Sequence, residues 1–330
     1  MAEYLTNTTD LTKVASAIRE KSGTSDLLVY PDEFVVAIQA IQTGTELKII
    51  VSVTSGAAVT ATKGSKVVSG TSVNGTCTLT VPEVGTWSVK ATLGGQTSNT
   101  MNVSVKDSYA LTLSFLKANF ADNDWSAIIA ACHSGSVPSS WVAGNSKTMT
   151  INGTSYQVDI IGKNHDTYAA GGTAPLTFGL HDCYADTKAM NSSNKNSGGW
   201  KNSAMRTTHL PAILALMPTE VQNGIREVSK KASVGGASST IETVSDKLFL
   251  LSEVEIFGST IHSAVGEGTQ YDYYKAGNSK VKKWSGSATN WWERSPNANT
   301  STRFCLVSIY GNADIYYASD AAGVAFSFCF

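Results

Sequence analysis

Residues 248–258 read LFLLSEVEIFG: an apolar run, then Glu253 and Glu255 alternating with Val254 and Ile256. Period-two alternation is the pattern of a β-strand, and it sets both carboxylates on the same face. Two neighbouring carboxylates suit acid–base chemistry or calcium. The plainer expectation is a loop-anchoring pair salt-bridged to a cation such as Arg206 or Arg294. Outward from this string, the region from Asp107 to Phe330 spans about 220 residues, enough for a full domain. Its front carries a helical pattern from Trp125 to Cys132. The stretch KTMTINGTSYQVDIIG follows, and its Asn152-Gly153 is a type I′ hairpin signal. Helices are predicted from Ala204 to Leu216 and from Pro218 to Lys230, the latter starting at Thr219 with Glu220 and Val221 in its first turn. From Leu248 onward the pattern is short strands among long loops.

Further upstream, between Glu46 and Lys106, the strings LKIIVSV, AAVTAT, GTCTLTV, TWSVKATL and NTMNVSV alternate β-branched and polar residues between Gly, Asn-Gly or Pro. This is the pattern of a small antiparallel sandwich. Trp87 and Cys77 stand in it, but no second cysteine follows, so the pattern supports immunoglobulin-like architecture only in general. From Asp10, a candidate N-cap, Leu11, Val14, Ala15 and Ile18 repeat at helical spacing up to Ser22-Gly23, with Arg19 and Lys21 in the last turn. A second helix is predicted from Pro31, with Phe34, Val35, Ile38 and Ile41 on one side, to Thr43-Gly44. Two helices this short do not bury both apolar faces alone, so the segment is expected to dock onto a partner or self-associate. The fold class is therefore α+β and multi-domain: residues 1–45 a helical attachment segment, 46–107 a β-sandwich, 108–330 the domain carrying specificity.

Lys plus Arg number 25 against 26 Asp plus Glu, a formal net charge of -1, which leaves no basic field to hold nucleic acid. No apolar run approaches 18 residues and the start, MAEYLTNTTD, lacks a basic region followed by an apolar stretch. Neither membrane insertion nor export by a secretory signal is expected, and synthesis in the cytoplasm is. The five cysteines, Cys77, Cys132, Cys183, Cys305 and Cys329, form no C-x-x-C pair and read as buried free thiols. Nucleophile-elbow, phosphate-loop, H-E-x-x-H and dinucleotide-binding strings are absent. His181, Asp182 and Cys183 are adjacent, but neighbouring side chains diverge and seldom chelate one ion. His165-Asp166 reads as a packed pair near a loop. No catalytic residue, metal ligand or cofactor is expected.

The strings LFLLSEVEIFG at Leu248, EGTQYDYY at Glu267, NWWERSP at Asn290 and GVAFSFCF at Gly323 resemble a bacterial and prophage domain family. NSGGWKNSAMR at Asn196 resembles the same family, so the resemblance covers most of Asp107 to Phe330. It implies a fold similar to the C-type lectin and formylglycine-generating-enzyme group, with Trp291, Trp292 and Arg294 as core and scaffold rather than ligand contacts. DLTKVASAIREKSGT and YPDEFVVAIQAI are similar to N-terminal segments of prophage tail proteins of Gram-positive bacteria. Residues 46–106 resemble the immunoglobulin-like modules of bacterial surface and phage tail proteins, where they serve as spacers.

A second resemblance concerns Asn297 to Phe330, which holds no Lys, Glu, Gln, Met or Trp although these five make up about 15% of the chain. That is similar to the variable region of diversity-generating retroelement proteins, in which adenines of Asn codons are randomised. Changing only the first two bases of AAC never yields those five residues. Within a variable region of about 297–326, the positions such codons reach are Thr300, Ser301, Thr302, Arg303, Leu306, Ser308, Ile309, Tyr310, Asp314, Ile315, Tyr316, Tyr317, Ser319, Asp320 and Ala322. Between them Phe304, Val307, Gly311, Ala318, Gly323, Val324 and Phe326 suit a fixed scaffold. Exposing Ile309, Tyr310, Ile315, Tyr316 and Tyr317 together makes an apolar, aromatic patch of the kind that marks a binding surface.

The resemblances imply a prophage tail-fibre or receptor-binding protein, not an enzyme. Its N-terminus attaches to other tail proteins and its lectin-like domain binds a bacterial surface protein or glycan. A homo-oligomer, with a trimer favoured, makes modest single sites useful through multivalency. Calcium is not expected, since no acidic-asparagine cluster of calcium-dependent lectins is present. The alternatives are a formylglycine-generating-type enzyme working through a reactive cysteine pair, for which Cys305 and Cys329 sit in Phe-Cys contexts, and a cell-surface adhesin.

Overall fold

The computed structural model describes residues 8–22, 46–113 and 115–330. They fall into two compact units, one ending with Met101–Leu113 and the other comprising Gly94–Thr100 and the chain beyond Leu113. Strands dominate, helices are few, and most sheets are antiparallel, so the fold is mixed α/β.

In the first unit a helix spans Thr8–Ser22 with Arg19 and Lys21 in its last turn. Ala15 and Ile18 are buried, whereas Val14 is exposed. The second expected helix, from Pro31, lies outside the described residues. Lys48–Ser52 is the centre of a three-stranded sheet, antiparallel to Thr76–Thr80 and parallel to Ser108–Thr112. A second sheet sets Ala58–Lys63 between Lys66–Thr71 and Gly85–Leu93, with Met101–Val105 also on Gly85–Leu93. Alternate residues Ile49, Val51, Cys77, Leu79, Val59, Trp87, Val89, Val103 and Val105 are buried, as the period-two pattern requires. Two strands depart from expectation. Lys66–Thr71 was hidden by a largely exposed composition. Ser108–Thr112 carries the first unit past residue 107 by a parallel pairing whose partner is far away in sequence, which no local pattern announces.

The second unit is built on a four-stranded antiparallel sheet in the order Ser327–Cys329, Leu176–Leu180, Thr154–Lys163, Ser146–Ile151. Asn152 and Gly153 both have positive φ, 47° and 78°, the conformation of the anticipated I′ turn. Helix Trp125–Ser134 extends the expected one. Phe120, Trp125, Phe178, Phe328 and Phe330 pack ring to ring beside the sheet. The pattern from Ala204 to Leu216 becomes a π-helical turn, Met205–His209, followed by Leu210–Leu214. The helix beginning at Thr219 stops at Gly224, not at Lys230. Val228–Ser233 pairs instead with Ile241–Asp246, a tertiary pairing that overrides local helical spacing.

The largest departure lies at the opening string. Residues 253–257 form a helix, not a strand. Ser252 caps it, its hydroxyl accepting from the Glu255 amide while the Glu255 carboxylate accepts from the Ser252 amide at 3.0 Å. This S-x-x-E capping box outweighs the alternation of the same letters. The two carboxylates take different duties. Glu253 anchors a loop by accepting from the amides of Ile261, His262 and Ser263 at 2.7–2.9 Å. Glu255 receives the guanidinium of Arg294 on both oxygens and the ammonium of Lys230 at 2.7 Å. Lys230 also meets Asp166 at 2.7 Å, and Tyr271 and Thr177 donate to the same carboxylate. Arg206 goes elsewhere, to Asp246 at 2.6 Å.

Candidate functional site

The fifteen positions named from the sequence fall on a three-stranded antiparallel sheet, Trp291–Pro296, Arg303–Val307 and Ala313–Tyr317 in that order, and on the loops at its ends. Register places Arg303 opposite Tyr317, Phe304 opposite Tyr316, Cys305 opposite Ile315 and Leu306 opposite Asp314. The central strand is buried on both faces from Phe304 to Val307. The edge strand is half-exposed along its length.

Exposure sorts the candidates. Tyr310 is 78% exposed, Tyr317 41% and Ile309 39%. Ser301, Ser319 and Asp320 are exposed, and Thr300, Thr302, Arg303, Asp314, Ile315 and Tyr316 are half-buried. The Arg303 guanidinium lies 4.6 Å from the Tyr317 ring centroid, a cation–π contact that holds both at the rim. Three candidates are corrected. Leu306 is wholly buried, in the middle of the central strand, and Ala322 is buried where it pairs with Lys188. Ser308 is turned inward, its hydroxyl accepting from the amides of Tyr310 and Asn312, so it shapes the turn. Tyr316 leaves the expected aromatic patch in part. Its ring meets Trp292 edge-on at 6.5 Å, and its hydroxyl accepts from Asn290 at 2.7 Å. The scaffold residues Phe304, Val307, Ala318, Gly323, Val324 and Phe326 are all buried, and so are Trp291, Trp292 and Arg294.

The frame under this rim depends on three asparagines the sequence reading did not single out. Asn290 holds the 308–312 turn, its side-chain oxygen accepting from the Ile309 amide at 2.9 Å while its amide reaches Tyr316. Asn196 is fully buried and donates to the carbonyls of Thr300 and Arg303 at 2.8 and 2.7 Å. Its own oxygen accepts from the Gly236 amide at 2.8 Å. Asn194 accepts from the amide and hydroxyl of Ser319. Asn290 and Asn196 are the first letters of NWWERSP and NSGGWKNSAMR, so the signal was present in strings noticed for their tryptophans and glycines. Backbone pairing adds to this frame: Asn196 N donates to Ser301 O and Asn191 N to Ala318 O, both at 2.8 Å.

Gly235 and Gly199 explain how Asn196 is fixed. Both have positive φ, 69° and 56°, and a Cβ on Gly235 would stand 1.8 Å from the Asn196 carbonyl oxygen. A Cβ on Gly199 would stand 1.9 Å from the Ser233 carbonyl. Backbone therefore packs on backbone where Gly198-Gly199 meets Gly235-Gly236.

A separate cleft of about 320 Å³ is lined by Tyr156, Gln157, His181, Asp182, Cys183 and Trp284, among others. His181, Asp182 and Cys183 diverge here as their adjacency suggests. His181 Nδ1 meets Asp159 at 2.7 Å, Asp182 accepts from the Lys283 amide at 2.7 Å, and Cys183 is buried. The bond to Asp159 raises the His181 pKa against desolvation and the nearby Lys282, with Asp182 adding to the rise. Burial works to raise the Asp159 pKa, but bonds from His181 and Ser146 outweigh it and hold that carboxyl below its usual range. The pair therefore stabilises the fold most between the unfolded pKa of Asp, about 4, and that of His, about 6.5. The His181 share is lost as pH rises through its elevated folded pKa, and the Asp159 share as pH falls through its depressed one. An NMR titration is expected to place His181 above the ordinary histidine range, and Asp159→Asn to bring it back down. An unchanged His181 midpoint in the variant would contradict the assignment.

Residues 177–329, which include the whole candidate rim, match a family model described as a domain of unknown function, DUF6273. No curated protein matches the chain.

Proposed function

We propose that this chain is a receptor-binding protein of a phage tail, engaging a bacterial surface protein or glycan through a diversified rim at residues 300–321. The observation carrying this reading is the match between codon-accessible positions and exposure. Twelve of the fifteen named positions reach the surface, and the intervening scaffold positions other than Gly311 are buried. A surface that accepts many residues without unfolding needs this separation, because stability must come from positions that do not change. The exposed set of Tyr, Ile, Ser, Asp and Arg offers rigid contact area together with hydrogen bonding. On this reading the second unit adopts a C-type-lectin-like fold, the first an immunoglobulin-like sandwich that spaces it, and residues 1–45 join other tail proteins. Self-association, a trimer by preference, supplies multivalency. Among the described residues no helix is long and apolar enough to cross a membrane.

The cysteines favour binding over a formylglycine-generating activity. Burial pushes the thiol pKa values of Cys305 and Cys329 well above the ordinary value, whereas a reactive cysteine needs a lowered one. The two also differ in surroundings: Cys329 lies against Thr177 and Asp166, and Cys305 by Glu253 and Glu293.

Sequencing the DNA that adjoins the gene tests the reading. A near-copy of codons 290–330 differing only at adenines, beside a reverse transcriptase, is expected; its absence would withdraw diversification from the argument. In the protein, Tyr310→Ala is expected to leave unfolding free energy within about 0.5 kcal/mol while weakening adhesion to a susceptible strain about tenfold or more. Leu306→Ala is expected to cost about 2–5 kcal/mol. Calorimetry and cell-binding assays separate the two, and a Tyr310→Ala variant that binds normally would remove the rim from the interface.

A further inference from the structure

Beneath the rim, one oxygen of Glu253, one of Glu293 and the sulfur of Cys305 lie within 4.8 Å of one another, all three residues buried. They come from the capped helix, the strand Trp291–Pro296 and the central strand Arg303–Val307, so no sequence spacing brings them together. Glu293 is the telling member. It is wholly buried, and neither of its carboxylate oxygens has a hydrogen-bond partner, which is true of no other buried carboxylate among the described residues. A carboxyl buried without partners costs several kcal/mol as an ion and leaves lone pairs unmet even when neutral. No group among the described residues donates to it, and a second carboxylate and a thiol stand beside it.

From this geometry we infer that Glu253, Glu293 and Cys305 form a structural zinc site that pins the helix and both strands under the rim. Glu293 supplies both unpartnered oxygens, Cys305 its sulfur and Glu253 Oε1, giving four donors without water. Oε1 accepts only from the His262 amide, while Oε2 takes the remaining loop donors, so Oε1 keeps a free lone pair. Those amides also orient the carboxylate, as the outer partners of metal ligands do. One thiolate beside carboxylates is a borderline donor set that suits zinc, and the four donors, two of them from one chelating carboxylate, give it a distorted tetrahedral set. Calcium and magnesium ask for six or more oxygens and would leave the sulfur unused. Binding replaces the thiol proton of Cys305 and any proton on Glu293, which pass to solvent, and the dication neutralises all but one of the three ligand charges.

Metal analysis of the purified full-length chain is expected to find one zinc per chain. Refolding from denaturant with zinc is expected to give a higher Tm than refolding with a chelator. Cys305→Ser and Glu293→Gln should each lose the metal. Should either variant fail to fold, the wild-type chain refolded with cobalt decides, since coordination by Cys305 produces thiolate-to-cobalt charge-transfer absorption in the near ultraviolet. A metal-free chain whose Tm is the same with zinc and with chelator would overturn the site. So would zinc retained in both variants, or a cobalt form lacking the charge-transfer band.

Discussion

Arg294→Met is expected to destabilise the second unit by about 3–5 kcal/mol, the cost of stranding a buried carboxylate. Arg294 is wholly buried and serves four partners at once. Besides Glu255 it donates to the carbonyls of Lys231, Leu250 and Glu267. Removing it takes a donor from three backbone carbonyls and leaves Lys230, itself shared with Asp166, as the remaining cation on Glu255. The guanidinium thus joins the hairpin strand Val228–Ser233, the 248–251 run, the capped helix and the 267 loop. Urea unfolding followed by tryptophan fluorescence reads the loss. The double variant Arg294→Met, Glu255→Gln should recover part of it, because the stranded charge is gone. Wild-type stability in the single variant would mean that the charge network is dispensable.

Gly235→Ala is expected to cost about 3 kcal/mol or more, combining a left-handed backbone with an unrelieved clash. The obstacle is the carbonyl of Asn196, a backbone atom that has no rotamer to change. Displacing it moves the side chain that holds the carbonyls of Thr300 and Arg303, so the variant should also perturb the rim. Amide resonances of residues 300–303 are expected to shift in Gly235→Ala, though the substitution lies outside the rim. Thermal unfolding gives the energetic part. Gly94→Ala is the control: it also has positive φ, 56°, but nothing lies within 4 Å of the added methyl, so only backbone strain of about 1 kcal/mol remains. Equal losses in the two would show that the clash contributes nothing.

These effects mark the limit of what the sequence discloses. Alternation read the first unit well, because Ile49, Val51, Trp87 and Val89 obey a period set by the pleat itself. It misread residues 248–258, where Val254 and Ile256 alternate with carboxylates but Ser252 and Glu255 close a capping box. Lys230 read as the end of a helix because its pairing with Ile241–Asp246 is a tertiary matter. Of the fifteen positions named in the rim, twelve are exposed or half-buried. Leu306, Ser308 and Ala322 are buried, since the codon a residue can come from says nothing about which way its side chain points. Asn196, Asn290 and the trio Glu253, Glu293 and Cys305 act across long sequence separations, which no spacing rule within a single string encodes.

Among the described residues the strand Ala313–Tyr317 has a partner strand on one side only. Its outer row of amides and carbonyls is an open template, and four of its five residues, including Ile315 and Tyr316, are only half-buried. Strand-forming side chains on such an edge favour pairing between molecules. Five residues is a short template and Asp314 places a charge on it, both of which discourage that pairing. A neutral, strand-forming residue at 314 would remove that charge and favour association of copies along this edge.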